Sequence, residues 1–521
     1  MRNTGDRRLG VWWIAEDHPH LPAIVDSPSG RAFTFGELTA AAHRLAHGLR
    51  ARGIARGDIV AYALPNDVDA VIWQLATSEI GLRYLSLNPS LSAEEFRSIL
   101  DHSAAAVVVA HPDYADRLAD LGTRTSPRLH ITVGVDIPGF ESQDALTEGQ
   151  PGTAPADRRL GGPIRYSSGT TGRPKGIIRP VPDIDPSAAA SAMSSFGRAF
   201  GFPPLEGVHL VSAGMHHGGC QGFYLGALDV GQALAIMGRF DAERALAMIE
   251  RHAVTTAYLV PTQFVRMLRL PEEVRTRYDP GSLRAVVHSA APCPPAVKKA
   301  MLDWWGPVIW ETYGGMEGAA TIATPQQWLE RPGTVGRAIR GMAVTILDDE
   351  GARLPAGEVG HVYLEPRRGP TFEYRGDPGL TESVHRGRAF TIGDLGYLDA
   401  DGFLFICDRA KDMIISGGVN IYPAEVEGVL AAHPAVGDVA VIGVPDAEWG
   451  EQVKAVVELV DGLAPSRELA EELIRFGRDR LAGYKCPRTV DFDRPLPRTE
   501  AGKLVKRDIR AKYWTEAGRK V

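Results

Sequence analysis

From Ala23 to Trp310 the chain alternates short apolar runs with stretches of helical periodicity, and this alternation constrains the fold more than any other feature. Ala23-Ile24-Val25, Ile59 to Leu64, Tyr84 to Leu87 and Ala104 to Ala110 read as strands. Between them, Leu38, Leu45 and Leu49 recur at helical spacing, and Asp69 to Gly81 reads as another helix. Ser92 is a natural N-cap, followed by Glu94 and Glu95 in the first turn of a helix to Leu100. The pattern continues with helical Ser187 to Phe200, strand Leu210 to Ala213, helical Phe240 to His252, strand Ala257 to Val260 and a helix from Pro261. Arg284 to His288 is then a strand and Pro295 to Trp304 a helix. Such alternation builds doubly wound α/β sheets, whose sites lie beyond the carboxyl ends of the strands. The turns Gly214 to Gly219, Ser289 to Pro292 and Glu311 to Glu317 are therefore expected to wall one cleft. Residues 140–162, rich in Gly, Pro and Asp, are expected to loop over the surface.

From about residue 335 strands dominate, at Val344 to Leu347, Gly360 to Leu364, Gly396 to Leu398 and Phe403 to Ile406. Past Asp408 the texture changes again. Pro423 to Ala432 reads as a helix, Val436 to Val444 and Val453 to Val460 as strands, and Ser466 to Leu481 as a helix capped by Ser466. A chain of 521 residues exceeds what one core usually serves. The expected organisation is a large N-terminal domain over residues 1–408, made of doubly wound sheets plus a β-rich subdomain, and a small α+β domain over residues 409–521. The net charge of −7 argues against a nucleic-acid or membrane-surface binder, which carries a basic excess. Cys220, Cys293, Cys407 and Cys486 stand far apart, so neither a disulfide framework nor a zinc site is indicated. The opening residues lack the apolar core of a signal peptide and no apolar run is long enough to span a bilayer. A cytoplasmic location is expected.

The stretch Tyr166-Ser167-Ser168-Gly169-Thr170-Thr171-Gly172-Arg173-Pro174-Lys175-Gly176 reads as a turn between two strands. The hydroxyls of Ser167, Ser168, Thr170 and Thr171, unhindered amides and Lys175 point to a polyanion, because amides and hydroxyls in a tight turn form an anion nest. A Walker loop is excluded: it needs Gly-Lys-Ser/Thr opening a helix, whereas Lys175 stands between Pro174 and Gly176.

Other stretches follow it in order: Met215-His216-His217, Tyr313-Gly314-Gly315-Met316-Glu317, Gly393-Asp394, and Asp408-Arg409-Ala410-Lys411-Asp412 with Gly417 to Glu425. The last is Pro497 to Lys503. Together they resemble the adenylate-forming superfamily of acyl-CoA synthetases, peptide-synthetase adenylation domains and luciferases, across most of the chain and closest in type to acid–CoA ligases. The resemblance implies ATP, Mg²⁺ and coenzyme A as cofactors and a small mobile C-terminal domain that reorients about Lys411. It makes Ser167, Ser168, Gly169, Thr170, Thr171 and Lys175 the phosphate-binding residues, with Thr170, Glu317 and Lys503 catalytic. Glu317 would be the magnesium-associated glutamate, Asp394 the ribose acceptor and Arg409 a second nucleotide contact. Glu311, Thr312 and Tyr313 fall on the adenine side, where Tyr313 would stack on the base, and Gly417 and Gly418 line the pantetheine passage. The chemistry agrees, since carboxylate activation brings two anions together and needs a cation, a lysine and backbone dipoles to screen them.

Two positions depart from the family pattern. Met316 stands where Thr is usual, and Ile392 where Ser or Thr is usual; a lost phosphate contact at Met316 is worth about 1 kcal/mol. On the acyl side, His217 resembles the residue at the pocket mouth, and no acid follows it before Asp229 to pair with a substrate ammonium. An α-amino acid is therefore disfavoured. Gly219, Ala290, Ala291 and Gly315 have small side chains, consistent with a medium- or long-chain or bulky apolar acid. The expected activity is an AMP-forming acid–CoA ligase, with a stand-alone enzyme loading a carrier-protein pantetheine arm and a nucleotide-binding paralogue of little turnover as alternatives. A small carboxylic acid and CoA are the expected partners, with no nucleic acid and no membrane span; a homodimer stays open.

Overall fold

Ile59–Ala63 and Val107–Ala110 are buried along their whole length, as strands covered on both faces must be. They belong to a computed structural model that describes residues 8–114, 127–167, 175–368, 371–417, 419–446, 448–499 and 504–514. The chain divides into two compact units. The first comprises Met1–Leu259, Arg266–His288 and Gly369–Ser383.

Two sheets organise this first unit. In one, Ala285–His288, Thr256–Leu259, Val208–Val211, Ala233–Ile236 and Pro22–Asp26 lie side by side in parallel, with Phe33–Thr34 antiparallel at the edge. In the other, Gly162–Ser167, Arg83–Ser86, Ile59–Ala63, Val107–Ala110, Leu129–Thr132 and Glu141–Ser142 run parallel, and Lys175–Ile178 and Glu373–Tyr374 extend the sheet antiparallel. Helix starts are set by local chemistry. Thr34 with Glu37 and Ser92 with Glu95 form reciprocal capping boxes that satisfy otherwise orphaned amides.

Three expectations are corrected here. Ala104 is not in a strand; it ends the preceding helix in the left-handed conformation, φ 52°, and the strand begins at Val107. Residues 140–162 contain a short strand, Glu141–Ser142, and a helix, Gln143–Thr147, capped by Ser142. The run after His217 is a helix, Gly218–Val230, rather than a turn. It is held from both sides: the Tyr224 hydroxyl donates to Gln74 on the helix Val68–Glu79, and Phe223 stacks on Tyr258 with ring centroids 4.8 Å apart.

The second unit comprises Val260–Val265, Ser289–Arg368 and Val384–Val521. Ile309–Gly315 and Gly318–Ala323 form an antiparallel hairpin whose tip is Met316-Glu317. A β-rich sheet follows, in the order Met342–Leu347, Gly360–Pro366, Ala389–Leu398, His385–Arg386, and Leu404–Arg409 also pairs with Ala389–Leu398. The last sheet orders Val419–Ile421, Ile414–Ser416, Gly450–Leu459 and Val436–Asp446, with Thr489–Phe492 added parallel to Gly450–Leu459. One face packs Val426, Leu430 and Leu473 of the helices Pro423–Leu430 and Arg467–Arg478. The other packs Ile509 of the helix Lys506–Trp514.

Candidate active site

The phosphate-loop candidates Ser168, Gly169, Thr170 and Thr171 lie outside the described residues, as do Gly418 and Lys503; of Ser167 only the backbone is described. The strands flanking that loop are in register, with Ser167 opposite Lys175. The Lys175 ammonium lies 5.8 Å from the centroid of the Tyr374 ring, a cation–π arrangement.

Downstream of the loop, His217 is the N-cap of the helix Gly218–Val230, without a side-chain cap bond. Burial, aided by neighbouring His216, lowers the His217 imidazole to about 3, so the ring is neutral at physiological pH. Its Nε2 is buried with no partner among the described residues. The turn before it is pinned by a residue that the motifs did not single out. Asn66 accepts from Met215 N at 2.8 Å and donates to the carbonyls of Ala213 and Met237 at 2.9 and 3.0 Å. A buried asparagine in Leu64-Pro65-Asn66, at a strand end, is the only sequence signal for this role.

Gly219 does not leave an empty volume. A Cβ there would lie 2.6 Å from the Tyr258 hydroxyl and 3.1 Å from its Cζ, so the space is already filled. The expected open acyl volume at Gly219 is not present, because the Tyr258 ring stands there.

In the second unit the candidate nucleotide residues do come together. Asp394, 4% exposed, accepts from the Tyr313 hydroxyl at 2.6 Å, and Arg409 Nε lies 2.8 Å from its other oxygen. Asp394 and Arg409 are cross-strand partners, and Arg409 also donates to the Ile392 carbonyl at 2.7 Å. Burial and then the Asp394 carboxylate hold the Tyr313 phenol well above its ordinary range, so it stays a donor. The hairpin Ile309–Gly315/Gly318–Ala323 carries Tyr313 just before a register shift at Gly314. At its tip, the Glu317 carboxylate folds against Gly315, where a Cβ would collide with it, and Ile392 is 3.3 Å from the same point.

The adenine-side candidates divide. The Thr312 hydroxyl donates to the Thr321 carbonyl at 2.8 Å. Glu311 is tied inward by the fully buried Lys298, at 2.6 Å, whose ammonium also faces the Trp328 ring at 4.9 Å. Burial lowers the Lys298 ammonium, and the Glu311 carboxylate opposes that shift. Ala290 is exposed and holds a left-handed φ of 76°, a conformation strained for any residue with a Cβ, and Ala291 follows it partly exposed.

Around Lys411 the contacts are polar. Asp408 accepts from its neighbour Arg409 N at 2.7 Å and from Ala424 N, at the start of the helix Pro423–Leu430, at 2.8 Å. Burial raises the Asp408 carboxyl, partly offset by Lys506. Arg510 donates to the Lys411 carbonyl at 3.2 Å. Gly417 has φ 58°, and the Trp449 ring occupies the place a Cβ would take.

A model of the AMP-binding enzyme family matches residues 11–370, and a model of the AMP-binding enzyme C-terminal domain matches residues 425–503. The chain belongs to the AMP-binding enzyme family. It is 34% identical over 527 residues to a feruloyl-CoA synthase of an Amycolatopsis species, covering 98% of this chain and 100% of the relative. It is 30% identical over 520 residues to the fatty acid–[acyl-carrier-protein] ligase ScoC of Streptomyces coeruleorubidus, covering 97% and 96%. Among solved structures, the amide bond synthetase McbA from Marinactinospora thermotolerans superposes with a TM-score of 0.82 at 29% identity, over 94% of this chain and 97% of that one. These relatives are ligases, and the mixed α/β architecture is that of adenylate-forming enzymes. Among the described residues, no helix is long and apolar enough to cross a membrane.

Proposed function

We propose that the protein is an ATP-dependent carboxylic acid–CoA ligase that forms an acyl-adenylate and then a thioester. The observation that carries this reading is the buried Asp394 carboxylate fixed by Tyr313 and Arg409, an acceptor pre-oriented for a diol such as the nucleotide ribose. In the first step a substrate carboxylate oxygen attacks the α-phosphorus of ATP, and the bond to pyrophosphate breaks. Lys503 screens the two anions, and the loop Ser167 to Lys175 holds the phosphates. In the second step the CoA thiol loses its proton and attacks the acyl carbon, releasing AMP. The residues beyond Lys411 reorient about it between these steps, and Gly417 and Gly418 line the path of the pantetheine arm.

Glu317 would hold Mg²⁺. Its carboxylate, at the tip of the hairpin Ile309–Gly315/Gly318–Ala323, is the hard oxygen donor that such an ion takes, with phosphate oxygens and water filling the rest of its shell. When bound it supplies positive charge to the phosphates. The acid has an apolar body, a reading now supported by the small side chains of Ala290, Ala291 and Gly315 rather than by Gly219.

The test is AMP release from a panel of aliphatic and aromatic acids, with and without CoA, alongside ATP–pyrophosphate exchange. Acid-dependent exchange with AMP release that requires CoA is the expected result; absence of exchange with every acid would refute the reading. Exchange without CoA-dependent release favours the second reading, a carrier-protein pantetheine as acceptor, which the likeness to a carrier-protein ligase motivates. Lys503→Ala should impair exchange strongly while sparing thioester formation from supplied acyl-adenylate.

A further inference from the structure

Arg165 sits in the strand Gly162–Ser167 with most of its surface covered, yet among the described residues its side chain meets no carboxylate and makes no hydrogen bond. Tyr62 and Tyr84 are the titratable neighbours that bear on it, and their rings stack with centroids 6.2 Å apart. The Tyr84 hydroxyl accepts from Gln74 at 3.1 Å. The Tyr62 side chain is 1% exposed, and its hydroxyl has no partner of ordinary hydrogen-bond geometry, although Ser86 lies beside it. Burial lowers the guanidinium from its usual range, the direction expected of a cation taken out of water without a counter-ion.

The guanidinium lies over the first turn of the helix Gly218–Val230. A Cβ at Gly218 would stand 2.8 Å from Arg165 Nε and 3.0 Å from its Cδ, so a side chain there would have to displace the arginine. That helix has no side-chain cap. The amides of Gly218, Gly219 and Cys220 find no acceptor among the described residues; Gln221 N is the first to bond, to the His217 carbonyl at 2.9 Å. His217 is neutral and brings no negative charge. Thus a guanidinium and the positive end of a helix dipole converge where nothing among the described residues offsets them. Two like potentials are brought together at a cost unless an anion joins them.

We propose that Arg165, the open amides of Gly218 to Cys220 and the Tyr62 hydroxyl form an oxyanion subsite that takes a carboxylate of the acid substrate. This rests on the reading of the protein as an acid-activating ligase. The planar fork of an arginine matches a carboxylate bidentately, and the helix amides add donors of the same polarity. The carboxylate has two possible sources: the group to be activated, or a second carboxylate at the far end of a diacid.

The full chain, wild type and Arg165→Met, is titrated calorimetrically without nucleotide against matched mono- and dicarboxylic acids, aliphatic and aromatic, and against pyrophosphate. The expected result is a loss of at least tenfold in carboxylate affinity in Arg165→Met, with partial retention in Arg165→Lys. Loss for both classes identifies the carboxylate to be activated; loss for diacids alone identifies a second one. Carboxylate binding that is absent in the wild type or equal in the variant overturns the subsite, and so does a loss confined to pyrophosphate. Should Arg165→Met fail to fold, Tyr62→Phe is the second variant, with a smaller loss in the same direction. If no acid supports pyrophosphate exchange in the wild type, the ligase reading falls while this titration still decides the subsite.

Discussion

The Tyr313 hydroxyl donates to one oxygen of Asp394 while Arg409 holds the other, at 2.6 and 2.8 Å. Each donor comes from a different strand, so the carboxylate cannot rotate without breaking one of the two. Tyr313→Phe leaves Asp394 oriented by Arg409 alone and removes a bond to a charged acceptor, worth about 1.5–3 kcal/mol. The expected result is a rise in KM for ATP of about tenfold or more, with the acid KM unchanged, measured by pyrophosphate exchange. An unchanged ATP KM would mean that Arg409 suffices or that Asp394 does not meet the nucleotide.

Lys298 and Glu311 form a buried pair at 2.6 Å. Lys298→Met takes the ammonium away from a buried carboxylate and should destabilise the protein by about 3–5 kcal/mol in urea denaturation. Lys298→Met with Glu311→Gln should recover most of that loss, because the buried carboxylate charge is then removed as well. Equal destabilisation by the single and double changes would show that packing, not charge, dominates here.

Asp229 supplies a pH test with a defined sign. Its buried carboxyl is raised to about 7 against an ordinary 3.8, burial outweighing the bond from Val11 N at 3.0 Å. A folded-state pKa above the unfolded one means that the folded state binds the proton more tightly. The contribution is therefore complete below the unfolded value, declines as pH rises toward 7, and is gone above it. Asp229→Asn keeps an acceptor for Val11 and removes the titration. Wild-type stability relative to this variant should fall between pH 5 and 7 and level off near pH 8; a flat difference would place the titration elsewhere.

Gly219→Ala puts a methyl group 2.6 Å from the Tyr258 hydroxyl. The contact is too close to stand, and overpacking of this kind costs about 1–3 kcal/mol. Lowered thermal stability is expected, with Tyr258→Phe in the same background restoring part of it. Failure of that second change to help would locate the strain in the helix backbone instead.

The parallel strands were legible because burial on both faces makes them continuous apolar runs, as at Val107–Ala110. The helix Gly218–Val230 was not, because Gly218 and Gly219 close a run that reads as a turn and Gly222 and Gly226 weaken the helical signal beyond it. The reason for one of them is packing: a Cβ on Gly197 of the helix Pro186–Ala199 would lie 2.8 Å from the Gly226 carbonyl, and one on Gly226 3.2 Å from Phe196. Glycine here marks close approach of two helices rather than a bend. Within the site, Tyr313, Asp394 and Arg409 could each be named from a local motif. That one carboxylate joins all three is a product of strand pairing, which no local spacing encodes. Glu311 with Lys298, and Arg165 over Gly218, were invisible for the same reason: their meaning lies in what stands opposite, or in what does not.

Asp408 and Arg409 are adjacent residues with opposite allegiances. Arg409 is fastened back to Asp394 and Ile392, and Asp408 reaches forward to the Ala424 amide. If the chain turns at Lys411, the first bond survives and the second is severed. The Ala424 amide proton is therefore an internal reporter: its solvent exchange is slow while Asp408 covers it and quickens once the residues beyond the hinge swing away. Following that one proton through a catalytic cycle would time the rearrangement without any label attached to the protein.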